Sequence, residues 1–220
     1  MANYGLETYR ADGSLQLSSG NMSFALRYKG VIRLDGADLT PPGSPYATFR
    51  TKSLTLAGDT PVIALGASTY DSAVITRNNG NGTFTYDFYG TSGVNLDIPH
   101  YTFDPPKYGL GDQFGVESFA ADGTLLWFAG QYVMNVVRAI GGYDDSVTLD
   151  SGRTYAAVTS SPKAAAVGNR QTLFLGNIQV GNKGASFGAT IPITNPDPSI
   201  AIPQGVAGQG SGFIIDVTYF

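Results

Sequence analysis

Residues 4–17, YGLETYRADGSLQL, recur as residues 114–127, FGVESFAADGTLLW. The matched positions are Tyr4/Phe114, Gly5/Gly115, Leu6/Val116, Glu7/Glu117, Thr8/Ser118, Tyr9/Phe119, Asp12/Asp122, Gly13/Gly123, Ser14/Thr124 and Leu15/Leu125. Identity is kept where backbone geometry is demanding, and size and polarity are kept elsewhere. The offset of 110 is half of the 220-residue chain. A chain that repeats its opening at half length reads as a tandem duplication of one folding unit. Each copy then has to form the same elements and bury the same faces.

The match continues at that offset through Gly20/Gly130, Met22/Tyr132, Phe24/Met134 and Leu26/Val136. Farther on, an offset of 103 aligns Ile75/Ile178, Asn79/Asn182, Thr83/Ser186 and Phe84/Phe187. The closing stretches NLDIPHYTF (95–103) and GFIIDVTYF (212–220) also look alike. The offset changes near 40–49 (TPPGSPYATF) and 192–212 (PITNPDPSIAIPQGVAGQGSG), which places the insertions in surface loops.

The repeated unit reads as β. Met22, Phe24, Leu26, Tyr28, Ile32 and Leu34 alternate with polar or small residues, the period of a strand with one face inward, and Gly30 marks a bulge. The corresponding stretch 125–140 is apolar at successive positions, which predicts a strand buried on both faces at an interface. Residues 71–90 read as a hairpin around an Asn/Gly turn at 78–82, with 177–191 as its counterpart. Asp12-Gly13 and Asp122-Gly123 read as turns between the first two strands of each copy. Helical periodicity is nearly absent; residues 56–68 and 160–169 have room for a helical turn at most. The expectation is an all-β protein of two tandem, duplicated antiparallel β-sandwich domains, 1–103 and 114–220, joined by the linker 104–113 (DPPKYGLGDQ).

Composition narrows the function. With 13 Tyr, 12 Phe and 29 Gly, the chain suits pleated surfaces joined by tight turns. Charged residues make up 14%, little for a surface wholly in water, which points to surface covered by partners. The absence of Cys removes disulfides and thiolate metal sites. The opening MANYGLETYR lacks the apolar segment of a signal peptide, and no run of about 20 apolar residues spans a bilayer. A net charge of −4 with 13 scattered Lys and Arg predicts no nucleic-acid face.

Catalytic chemistry has few players. His100 is the only histidine, so acid–base and nucleophile schemes lack partners, and its simplest role is structural. Asp35, Asp38, Asp97, Asp104, Glu117, Asp144 and Asp145 include pairs that a polysaccharide hydrolase would need. Carboxylates also favour turns, and Glu7 recurs as Glu117, which fits a shared structural role. Asp144, Asp145 and Asp150 supply hard oxygens for calcium but match no EF-hand spacing, and a solvated acidic turn is the simpler account. The glycines at 109–111 and 208–212 lack the strand–loop–helix context and the Lys of a phosphate cradle. No cofactor, metal or catalytic residue is therefore expected. Binding is better supplied: Tyr46, Tyr101 and Tyr108 are placed to stack on a sugar or anchor a partner. Trp127, followed by Phe128, reads as core or interface. Pro196, Pro198 and Pro203 make the loop 192–212 an extended arm suited to packing on a neighbouring subunit.

The opening MANYGLETYRADGSLQL resembles the first residues of small β-rich structural proteins of bacteriophage tails, which begin with an aromatic-Gly-aliphatic strand, an Asp-Gly or Asn-Gly turn and an aliphatic strand. The resemblance covers about fourteen residues, repeated once. It implies a class and no catalytic residue: a non-enzymatic virion protein, made in the host cytoplasm, of the tail tip, baseplate or fibre-attachment region. Its partners are then other copies of itself, other tail proteins and a host glycan or receptor, met through loops 39–49, 99–113 and 192–212. Duplicated domains would let a threefold ring present six similar surfaces, or build two stacked layers. A carbohydrate- or receptor-binding module is the alternative, followed by a capsid decoration protein and last by a hydrolase.

Overall fold

The computed structural model describes residues 7–9, 15–18, 23–35, 49–67, 72–91, 95–106, 116–141, 146–161, 163–167, 172–181, 184–194 and 210–220. These form an all-β fold of antiparallel sheets arranged in a sandwich-like way. The first half contributes β1 (Glu7–Tyr9), β2 (Leu15–Ser18), β3 (Ala25–Leu34), β4 (Phe49–Ala57), β5 (Val62–Gly66), β6 (Ser72–Asn78), β7 (Thr83–Thr91) and β8 (Leu96–Asp104). The second contributes β9 (Glu117–Phe119), β10 (Leu125–Phe128), β11 (Asn135–Gly141), β12 (Ser146–Thr148), β13 (Tyr155–Ser161), β14 (Lys163–Val167), β15 (Thr172–Val180), β16 (Gly184–Thr194) and β17 (Ser211–Asp216).

The repeated sequence folds the same way twice. In the first hairpin Glu7 faces Ser18, Thr8 faces Leu17 and Tyr9 faces Leu15; in the second, Glu117 faces Phe128, Ser118 faces Trp127 and Phe119 faces Leu125. The register slips at the same step in both, so the repeat carries a bulge as well as a strand pair. Gly123 takes a φ of +84°, and the Asp122 carboxylate accepts the Thr124 N–H at 2.9 Å, the Asp-Gly turn expected there. Its counterpart at Asp12-Gly13 lies outside the described residues.

One six-stranded sheet runs through both halves in the order β11-β17-β13-β5-β8-β3. Read inward from either edge, each side has the first long strand at the edge, the last strand next, and the strand after a Gly-x-Thr turn innermost. The registers correspond too. β3 pairs with β8 from Ala25/Asp104 and slips between Leu26 and Tyr28; β11 pairs with β17 from Asn135/Asp216 and slips between Val136 and Arg138. The halves meet where Ala156 pairs with Gly66 and Ala157 with Leu65. The second layer has β4-β7-β6 over one half and β12-β16-β15-β14 over the other. The Gln179 amide of β15 donates to the Ser72 carbonyl of β6 at 2.9 Å where these sheets adjoin.

Three main clusters form the core among the described residues. Leu34, Ile63, Leu65, Tyr86, Phe88, Leu96 and Ile98 pack between the six-stranded sheet and β4-β7-β6. Ile140, Tyr155, Ala157, Ile178, Val180 and Ile214 pack beneath β12-β16-β15. The opposite face of the long sheet holds Leu26, Ala64, Phe103, Ala156, Val158 and Ile215, with Phe24, Met134 and Phe220 against them. This last cluster alone joins β5 to β13 and holds the halves together, at roughly 1.5–3 kcal/mol for each large apolar side chain it buries.

Several expectations change. The bulge in β3 is at Arg27, not Gly30, so Leu26 and Ile32 face opposite cores although both are even-numbered. Stretch 125–140 is two strands, β10 and β11, and β11 is mostly exposed rather than buried on both faces. Segments 56–68 and 160–169 hold β5 and β14 and show no helix among the described residues. The 71–90 hairpin forms as expected, with Gly80 and Gly82 at φ of +76° and +74°. An offset of 103 fails on parity: Val74, not Ile75, packs inward beside β7, whereas Ile178 is core. The closing strands correspond through Asp104 and Asp216 rather than through 95–103 and 212–220. β8 runs to Asp104, and most of the expected linker, 107–113, lies outside the described residues.

Candidate functional site

Tyr46, Tyr108, Pro196, Pro198 and Pro203 lie outside the described residues. Tyr101 is not on a loop. It sits in β8 opposite Lys29 and Ala64, half-buried, with its ring 6.5 Å from that of Phe220. Burial raises its phenol pKa. Trp127 is half-buried in β10.

The residues with catalytic potential are structural in their settings. His100 points into the first core, 5% exposed, with its ring centroid 5.5 Å from that of Phe88. It faces Gly30 of β3, where an added Cβ would come within 3.1 Å of Nε2 and press the imidazole aside by a few tenths of an ångström. Burial pushes the imidazole pKa down, which keeps it neutral. Tyr86 and Thr102 are equally buried on the same core face, and burial raises the Tyr86 phenol far above its usual range.

The carboxylates are dispersed. Asp97 is exposed and 3.6 Å from Arg33; Glu117 is exposed in β9. Asp35 is half-buried beyond β3. Asp150 accepts the Gly152 N–H at 2.9 Å and lies 3.7 Å from Arg153, which makes it part of a turn. Asp38, Asp144 and Asp145 are outside the described residues. Among the described residues no three of His, Asp or Glu converge on one point.

The most distinctive surface is apolar and belongs to the second half. Of the seven large apolar residues exposed among the described residues, Val116, Phe119, Tyr132, Val136, Val137 and Tyr219 lie beyond residue 115; only Val31 does not. β11 forms one edge of the long sheet, with Val136, Val137, Arg138 and Ala139 exposed in succession. β3 forms the other edge. Its matching positions by register are Leu26, Arg27, Tyr28 and Lys29. Charged side chains on an edge strand discourage further pairing. The β3 edge carries two where β11 has valine and alanine, so the two edges share geometry and differ in what they allow. In the sequence, apolar residues at successive positions read as one strand buried at an interface, which does not show that β11 is an exposed edge in the single chain. Arg138 within the run was the contrary signal.

No family model, curated protein or solved structure matches this chain.

Proposed function

We propose that the chain is a non-enzymatic structural protein of a bacteriophage tail, in the tail-tip, baseplate or fibre-attachment region, which works by assembling with copies of itself and with neighbouring virion proteins. The observation that carries the assembly role is the β11 edge: a strand at the end of the sheet with Val136, Val137 and Ala139 exposed suits pairing with another chain. The low content of charged side chains supports the same reading. The tail itself is supported by the resemblance of the opening hairpin, which is present twice with one register. On this reading the protein is made in the host cytoplasm and resides in the virion, and it needs no cofactor.

Light scattering after size exclusion tests the assembly role. Three, six or twelve copies in a discrete particle are expected. A monomer at 23.1 kDa at high concentration would move the assignment to the alternative, a carbohydrate- or receptor-binding module. The exposed rings of Phe119, Tyr132 and Tyr219 favour that alternative, since such faces stack on sugars. A glycan array decides it.

A further inference from the structure

We infer that the two halves are related by an approximate twofold axis and that each opening hairpin docks across that axis on the other half, so that a backbone site at Val133 is filled by Gln16 of the β1–β2 hairpin. The inference is independent of the virion role.

The axis is fixed at two places. An antiparallel pair of corresponding strands is itself a twofold arrangement, and β5 and β13 correspond. Extending the Ala156/Gly66 and Ala157/Leu65 register places Val158 opposite Ala64, and these two match each other in their registers with β17 and β8. On the outer face, Met134 N–H donates to the Phe24 carbonyl at 2.8 Å, and these residues are counterparts in the repeat. Ala64, Val158, Phe24 and Met134 share one core cluster, so a single axis serves both contacts.

The second hairpin already crosses that axis. Ser23, in the first half, donates its N–H to the Leu126 carbonyl in β10 at 3.1 Å. The rotation that exchanges the halves carries Ser23 onto Val133 and Leu126 onto Gln16. Val133 is prepared for the mirrored bond. Leu26 N–H donates to the Tyr132 carbonyl and Met134 N–H to the Phe24 carbonyl, which makes Ala25/Val133 the non-hydrogen-bonded pair between them. In such a pair the N–H and carbonyl of Val133 are directed away from Ala25, toward where β2 would lie. The link from Ser18 to Ser23 is as long as that from Phe128 to Val133, so the first hairpin has the reach of the second. Each half thus holds the other with a hairpin. For a ring assembly, a twofold between halves favours two stacked, opposed layers over six similar surfaces around one layer.

Amide hydrogen exchange on the unmodified chain tests the site. The Val133 amide is expected to be protected to within about tenfold of the Ser23 amide. Exchange of Val133 at the rate of an exposed loop overturns the inference. The Cys-free chain permits a second test: Gln16→Cys with Val133→Cys under mild oxidation, using Ser23→Cys with Leu126→Cys as the reference. An intrachain disulfide in both pairs is expected, seen as a faster monomer band on a non-reducing gel. If the reference pair closes while the first pair stays open or joins two chains, the hairpin does not dock as inferred.

Discussion

Asp104 and Asp216 occupy the same place in the two halves and are held by different donors. Each ends the last strand of its half, faces the first residue of an edge strand (Ala25 and Asn135) and is buried. Asp104 accepts the backbone N–H groups of Asp59 and Thr60, both at 2.9 Å. Asp216 accepts the N–H and hydroxyl of Thr218 and the guanidinium of Arg153, from the matching turn. Asp104→Ala would leave two backbone donors without their acceptor, and a cost of about 2–3 kcal/mol is expected. Asp216→Ala is expected to cost less, about 1–2 kcal/mol, because Arg153 is half-exposed and regains water. Urea unfolding of both variants measures the difference, and equal losses would contradict it.

Acid should destabilise the protein in two steps. Burial depresses the His100 pKa in the folded state, so below about pH 6.5 the unfolded chain binds the proton more readily and stability falls with pH until the folded pKa is passed. Asp216 acts lower. Burial pushes its carboxyl up, but the bonds from Thr218 and Arg153 outweigh this and hold it below the ordinary value. Its contribution is complete above the unfolded pKa near about 4 and is lost as pH falls through the folded value. His100→Phe is expected to remove the upper step and leave the lower one. Thermal melts from pH 8 to pH 3 read both, and an unchanged slope between pH 7 and 5 in the variant would show that His100 is not its source.

The all-β class and the turns were legible in the sequence because each depends on local chemistry: Asp-Gly at 122–123, glycines at 80 and 82, and alternation along β7. The pairing of β5 with β13 was not legible. It joins segments far apart in the chain, and neither VIALG nor YAAVTSS carries a mark of its partner. The Arg27 and Val137 bulges were hidden for a related reason. A bulge appears only when a strand is compared with its neighbour, and it reverses every later inward position. The stretch 99–113 reads as a contact loop that includes Tyr101, yet Tyr101 lies within β8 and Pro99 pairs opposite Val31 there. Burial at an interface is what the run of apolar residues around β11 predicts; in the single chain the strand is exposed, because exposure depends on what else is laid over it.

The shared axis makes Ala64 and Val158 neighbours in one volume, both buried in the same cluster. Val158→Ala is expected to cost about 1–3 kcal/mol by opening a cavity, and Ala64→Val a similar amount by overpacking. Exchanging the two residues restores the total volume. The double variant should therefore be more stable than the sum of the single losses predicts, by about 1 kcal/mol or more. Additive losses in a denaturant double-mutant cycle would mean that the two side chains do not share that space.

The two edges of the long sheet provide an internal control for assembly. Val137 is exposed on β11 at the position that Arg27 holds on β3, so Val137→Lys gives the apolar edge the kind of residue its counterpart has. Because Val137 is already in contact with water, its replacement should change folding stability by no more than about 0.5 kcal/mol. If chains associate through this edge, a buried lysine and a crowded strand would oppose pairing, and the dissociation constant should rise about tenfold or more. Val31→Lys, on the β3 edge that already bears Lys29, should leave it unchanged. Sedimentation velocity over a concentration series separates the cases. Equal weakening by both variants would point to general charge repulsion, and weakening by Val31→Lys alone would move the contact to the β3 edge.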